Sequence, residues 1–146
     1  MRQSLFDFVK ESNRIENINR DPTPEEVEAH RVFLDAPSVT VKTLCAFVSV
    51  IAPGHVLRER EGLDVFIGRH VAMTGGPQVR QALVGILNDG SLDPYDEHLR
   101  YETLHPFTDG NGRSGRALWL YRHRGVISHI GFLRSFYYHT LARNDP

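Results

Sequence analysis

Four residues with distinct chemistry stand close together in this chain, His105, Asp109, Arg113 and Arg116, and Gly110, Asn111 and Gly112 lie among them. Histidine is the side chain whose ordinary pKa suits removal of a proton near neutral pH. Asp109 supplies the hard oxygen ligand that a phosphate-bound magnesium takes. Glycines on both sides of Asn111, directly before a helix start, let successive backbone N–H groups converge on an anion, assisted by the positive end of the helix dipole. Arg113 and Arg116 are three apart in the first turns of that helix, where two guanidinium forks can clamp a polyphosphate. Base, metal ligand, anion nest and arginine clamp fall within residues 105–116 and together describe a phosphate site.

Helices separated by Gly, Pro and Asp must position this stretch. Leu5, Phe8, Val9, Ser12, Ile15 and Glu16 follow three-and-four spacing, which predicts a helix over about 3–16 with Asn17 as its stop. After the break at 21–24, residues 25–34 carry acids in their first turn. Ser38 can cap a next helix with Val41, Leu44, Cys45 and Val48 on one face, although Val39, Val41, Thr43 and Cys45 also fit strand alternation. Residues 63–71 are the best hairpin candidate, being short, β-branched and bounded by glycines. Pro77 opens a helix ended at 88–90, and Asp93-Pro94 starts one that runs towards His105. Residues 113–124 make a helix stopped by Gly125, and 130–142 can pack as a last one.

The chain has 146 residues, 40% hydrophobic, enough for one domain and one core without disulfides. Cys45, the single cysteine, reads as a small buried hydrophobe. Seventeen basic and eighteen acidic residues leave a net charge of -1, which disfavours nucleic-acid binding. The first residues do not form a signal peptide and no apolar run is long enough to span a membrane, so a soluble cytoplasmic protein is expected. The eight histidines show no paired ligand spacing, and Leu118, Trp119, Leu120 and Tyr121 read as core. Phe136, Tyr137 and Tyr138 read first as tail packing, with cover for a nucleotide edge and a self-modified hydroxyl as alternatives.

Residues 105–116, His-Pro-Phe-Thr-Asp-Gly-Asn-Gly-Arg-Ser-Gly-Arg, match the Fic-domain signature H-P-F-x-D/E-G-N-G-R-x-x-R at every specified position. The resemblance implies an all-α helical bundle with a small β-hairpin flap near the active site, one Fic domain over 1–146, and transfer of AMP from ATP to a Ser, Thr or Tyr hydroxyl of a protein target. On this resemblance His105 would be the general base and Asp109 the ligand of Mg²⁺ or Mn²⁺. Gly110, Asn111 and Gly112 would line the phosphates, Arg113 would hold the inner phosphates, Arg116 would hold the γ-phosphate, and Phe107 would anchor the loop.

Ser12-Asn13-Arg14-Ile15-Glu16-Asn17 resembles the family's inhibitory motif S/T-x-x-x-E-G/N. It implies an inhibitory helix over about 3–17 in which Ser12 steadies the Glu16 carboxylate and Glu16 pairs with Arg116 against the γ-phosphate. The same glutamate supports AMP removal in some relatives. Leu57-Arg58 with Val65, Phe66, Ile67 and Gly68 looks like the flap that registers an extended target segment by strand pairing. Self-modification and a homodimer stay open, and no sequence device requires the dimer. Competing readings are another nucleotide or phosphocholine donor, a kinase of the death-on-curing type, which carries Lys where this chain has Gly112, and a degenerate nucleotide-binding scaffold.

Overall fold

Side-chain caps decide where most of the helices begin. A computed structural model of the chain describes residues 4–124. The first helix, α1 (Leu5–Ile15), opens on Ser4, whose hydroxyl accepts from the Asp7 N–H at 3.1 Å. It closes just past Glu16, because Asn17 adopts a left-handed φ of +62°. The Asn17 N–H then donates to Arg14 O at 2.9 Å and the Ile18 N–H to Asn13 O at 3.0 Å, the paired bonds of a Schellman closure. Asn17 is therefore the stop that the sequence predicts, and its conformation fixes where Glu16 lies.

The second helix, α2 (Pro24–Asp35), starts with a reciprocal capping box between Thr23 and Glu26 and a proline in its first turn. The segment left open between helix and strand is a helix, α3 (Val41–Ile51), capped by Thr40 and Thr43 rather than by Ser38. Its β-branched residues do not prevail, because Val41, Leu44, Phe47, Val48 and Ile51 fall on one face and are all buried.

The hairpin consists of β1 (Phe66–Ile67) and β2 (His70–Val71), antiparallel, with Phe66 opposite Val71 and Ile67 opposite His70. It is shorter than expected. Val65 precedes the first strand, and Gly68 lies in the turn with a φ of +59°. At its base the Asp64 carboxylate accepts from the Gly75 N–H at 2.8 Å, so 63–65 connect the hairpin to the body instead of extending the ladder.

Three helices follow: α4 (Pro77–Leu87), α5 (Pro94–Leu104) and α6 (Asn111–Arg122). Asp93 caps α5 by accepting from Asp96 N at 2.8 Å. The last helix begins two residues before the expected start at 113, with Gly110 as its N-cap at φ +83°. A Cβ at Gly110 would approach Ile51 Cδ1 to 3.0 Å and Ala52 Cβ to 3.2 Å, so this glycine also permits the loop to lie on the end of α3.

The described residues are thus mostly helical with one small antiparallel hairpin. Residues from α2 to α6 share the main core, including Phe33, Leu44, Phe47, Val79, Leu83, Tyr101, Phe107 and Leu118. A smaller cluster of Phe8, Leu120, Leu5, Leu34 and Trp119 seats α1 against α2 and α6. Full burial of Phe8 contributes roughly 1.5–3 kcal/mol to that seating. Cys45 packs against the main core but is half-buried rather than buried, and desolvation still pushes its thiol pKa up. No helix among the described residues is long and apolar enough to cross a membrane. The predicted helix over 130–142, with Phe136, Tyr137 and Tyr138, and the stop at Gly125 lie outside the described residues.

Candidate functional site

His105 follows directly on α5 and takes a left-handed conformation, φ 52° and ψ 64°, that turns the chain out of the helix. Its N–H still donates to Tyr101 O at 2.9 Å. Its Nδ1 lies 3.2 Å from Glu102 O, and because a carbonyl only accepts, Nδ1 carries the proton and Nε2 keeps its lone pair. Burial lowers the His105 pKa; the Glu102 carbonyl opposes that shift and Arg58 adds to it. The ring is therefore neutral at pH 7, as a base must be.

The loop after His105 is held like an added strand. Arg58 N–H donates to Pro106 O at 2.8 Å, Leu57 bridges Phe107, and Thr108 N–H donates to Val56 O at 2.9 Å. Phe107 is 1% exposed and belongs to the main core, where it anchors the loop. Asn111 braces the same turn from the start of α6: its Oδ1 accepts from Phe107 N and its Nδ2 donates to Phe107 O, both at 2.8 Å. The Asn111 side chain thus shapes the loop, and only backbone groups are left to line an anion.

Arg58 is fully buried and ties the loop to the hairpin. Its Nε donates to His105 O at 2.7 Å and its Nη2 to Leu104 O at 2.9 Å, while Nη1 reaches Leu63 O at 3.0 Å and Met73 O at 2.7 Å. Two of these carbonyls close α5, and the other two flank the hairpin. The hairpin itself carries Phe66 and Val71, 70% and 61% exposed, as a cross-strand pair facing solvent.

Asp109 projects outward, its side chain 59% exposed. Oδ1 accepts from Gly110 N at 2.8 Å, and Oδ2 lies 3.9 Å from His55 Nε2. Among the described residues no three His, Cys, Asp or Glu side chains converge to hold a metal by themselves. A cation at Asp109 would accordingly take one carboxylate from the protein and its other ligands from phosphate and water, which is how magnesium is commonly held.

The two arginines of α6 diverge. Arg113 turns to α3, where its Nη1 donates to the terminal carbonyl of Ile51 at 2.7 Å, and its Nε is buried without a hydrogen-bond partner. Arg116 turns to α1 and is fully buried. Its Nε donates to Ser12 Oγ at 2.9 Å, and its Nη2 to Ser12 O at 2.9 Å and to Glu16 Oε2 at 2.7 Å. Ser12 therefore acts on the guanidinium; the expected Ser12 support of the Glu16 carboxylate is replaced by joint acceptance from Arg116. The carboxylate also lies against Gly112, where an added Cβ would overlap Glu16 Oε2. Glu16 thus places a negative charge over the first turn of α6, whose N–H groups lack intrahelical acceptors.

Further contributors escaped the sequence reading. Asn13, buried in α1, donates to Glu26 Oε2 at 3.3 Å, and Arg20 donates to Glu26 Oε1 at 2.8 Å, so α1 is pinned to the capping box of α2. The T-x-x-E pattern at Thr23 and Glu26 signals the box, but not its second use. Gly115 sits where a Cβ would overlap Glu102 Oε1, and Glu102 itself is a buried acid one turn before His105. Its only sequence signal is the three-residue spacing to His105. Compared with known proteins, the chain matches no protein-family model and no curated protein.

Proposed function

We propose that this chain is a Fic-type protein adenylyltransferase, one domain over 1–146, held in an inhibited state by Glu16. The observation that carries the reading is the meeting of two motifs 100 residues apart, with Glu16 Oε2 2.7 Å from Arg116 Nη2. Each motif has a role in the resemblance, and the role given to the first is to occupy the second.

In this reading, the target hydroxyl attacks the α-phosphorus of ATP in line with the departing pyrophosphate. A bond forms from the hydroxyl oxygen to the α-phosphorus, the α–β phosphoanhydride bond breaks, and the hydroxyl proton passes to His105 Nε2. The neutral ring with its proton fixed on Nδ1 suits that step. Backbone N–H groups of Gly110, Asn111 and Gly112, Arg113 and a released Arg116 neutralise the phosphates. Asp109 offers the exposed oxygen for Mg²⁺ or Mn²⁺, which when bound spreads the charge of the phosphates. Phe66, Ile67 and Gly68 of the hairpin, with Val65 just before it, register an extended target segment, and the Arg58 bonds keep that edge in a set relation to His105.

The test compares the parent, Glu16→Gly and Glu16→Gly/His105→Ala, each with Mg²⁺ and ATP labelled at either the α- or the γ-phosphate, alone and with a cell lysate. Protein-bound α-label that rises in Glu16→Gly and is lost in the double variant is expected. Label from the γ-position alone would replace the reading with a kinase. No label from ATP would move it to another donor or to a scaffold.

A further inference from the structure

The reaction above gives no part to Glu102, a buried acid without a basic hydrogen-bond partner of the kind that Glu26 and Glu97 have in Arg20 and Arg122. Glu102 lies on α5, one turn before His105, and its carboxyl reaches across to α6. The absence of a side chain at Gly115 is what admits it, since a Cβ there would overlap Oε1. The residue is buried, and Oε1 has no hydrogen-bond partner. On ionisation Oε1 would carry charge with no donor beside it.

Two charges on other elements act on Glu102: Arg116 of α6, which favours the carboxylate, and Glu16 at the end of α1, which disfavours it. The neighbours on α5 are uncharged at neutral pH. Burial pushes the Tyr101 hydroxyl up and pulls His98 down to about 4, and His105 is lowered as described. Arg116 therefore feels two carboxyl groups, Glu16 through a hydrogen bond and Glu102 through charge alone, the latter lying on Gly115, the residue before it.

We propose that Glu102 is a positioning residue for the anion that Arg116 holds: its carboxyl competes with Glu16, and with the terminal phosphate of a bound nucleotide, for that guanidinium. The phosphate half of this inference rests on the transferase reading; the Glu16 half does not. Burial pushes Glu102 up to about 8, so near pH 7 it is a neutral acid and leaves Arg116 to its partner. Above that value it adds a second negative charge beside the guanidinium. An arriving phosphate raises the proton affinity of Glu102, and by linkage phosphate affinity falls as pH rises through the Glu102 midpoint, by at most about tenfold per pH unit for one proton.

Carbon-13 NMR of the Glu102 side-chain carboxyl, assigned through its own bonds in the full chain, reads this directly. Titrations are made of the parent, of Glu16→Gln, and of Glu16→Gln saturated with Mg·ATP. The midpoint is expected to fall by roughly one pH unit when Glu16 loses its charge and to rise again with nucleotide. A fall without the rise supports competition with Glu16 and removes the nucleotide from Arg116, which counts against the transferase reading. A midpoint unmoved by Glu16→Gln means that burial alone sets it, and the inference is overturned.

A second readout is the KM for ATP in Glu16→Gln, which should rise several-fold from pH 7 to 9 with little change in kcat and stay level in Glu16→Gln/Glu102→Gln. An equal rise in both variants also overturns it.

Discussion

Replacing Glu16 by glutamine removes one charge and almost no volume from the contact with Arg116. The guanidinium is fully buried, the Glu16 side chain is 35% exposed, and the Nη2–Oε2 distance is 2.7 Å. A hydrogen bond between charged groups contributes about 1.5–3 kcal/mol, and the partial exposure of Glu16 puts this one at about 2 kcal/mol. Arg116 keeps both Ser12 acceptors, so the variant is expected to fold. If the carboxylate holds the place of a terminal phosphate, the same ~2 kcal/mol opposes nucleotide binding, and its removal tightens Mg·ATP about 30-fold. Stability moves the other way, by a Tm drop of about 6 °C for a chain of this length. Titration calorimetry and thermal unfolding on the same preparations measure both. A lowered Tm with an unchanged Kd would refute the argument, because Glu16 would then serve only to fasten α1 to α6.

Three further outcomes follow from the packing and the charges. Gly115→Ala drives a methyl group into Glu102 and should cost about 1–3 kcal/mol in urea unfolding, a cost reduced in a Glu102→Ala background; equal costs in both backgrounds would mean the two do not touch. Arg58→Lys cannot reproduce four bonds from one planar fork, so stability should fall by about 2–4 kcal/mol and amides of 63–73 should exchange faster. Unchanged exchange there would detach the hairpin from Arg58. His30 and His98 are both lowered to about 4 by burial, so their contribution is fully present above about 6.5 and is lost as pH falls towards 4, by up to about 3 kcal/mol each. A urea midpoint that stays flat from pH 7 to 4.5 would contradict this.

Local rules made most of the fold legible. Asn17 stops α1, the prolines at 77 and 94 open α4 and α5, and Gly110 precedes α6, although that helix starts two residues earlier than expected and takes in Gly112. The start of α3 was misplaced because Ser38 and Thr40 are equally good caps, and only burial of the face that begins at Val41 chooses between them. The 105–116 stretch stood out as a candidate site, since residue types and spacing are all that such a reading needs. Apart from the Glu16–Arg116 pair, which the motif resemblance anticipated, partners across the fold were not legible. Arg113 reaching Ile51 O, Arg58 gathering four carbonyls, and Glu102 resting on Gly115 depend on helix packing that no local pattern encodes.

The partners Glu16 and Arg116 are also separated in time. A ribosome adding ~5–20 residues per second makes residue 16 some 5–20 s before residue 116. Their sequence separation of 100 residues therefore becomes an order of assembly. The acidic residue is already waiting when the helix carrying the guanidinium leaves the ribosome. Under the proposed function, a newly made copy would close its own site as that helix docks.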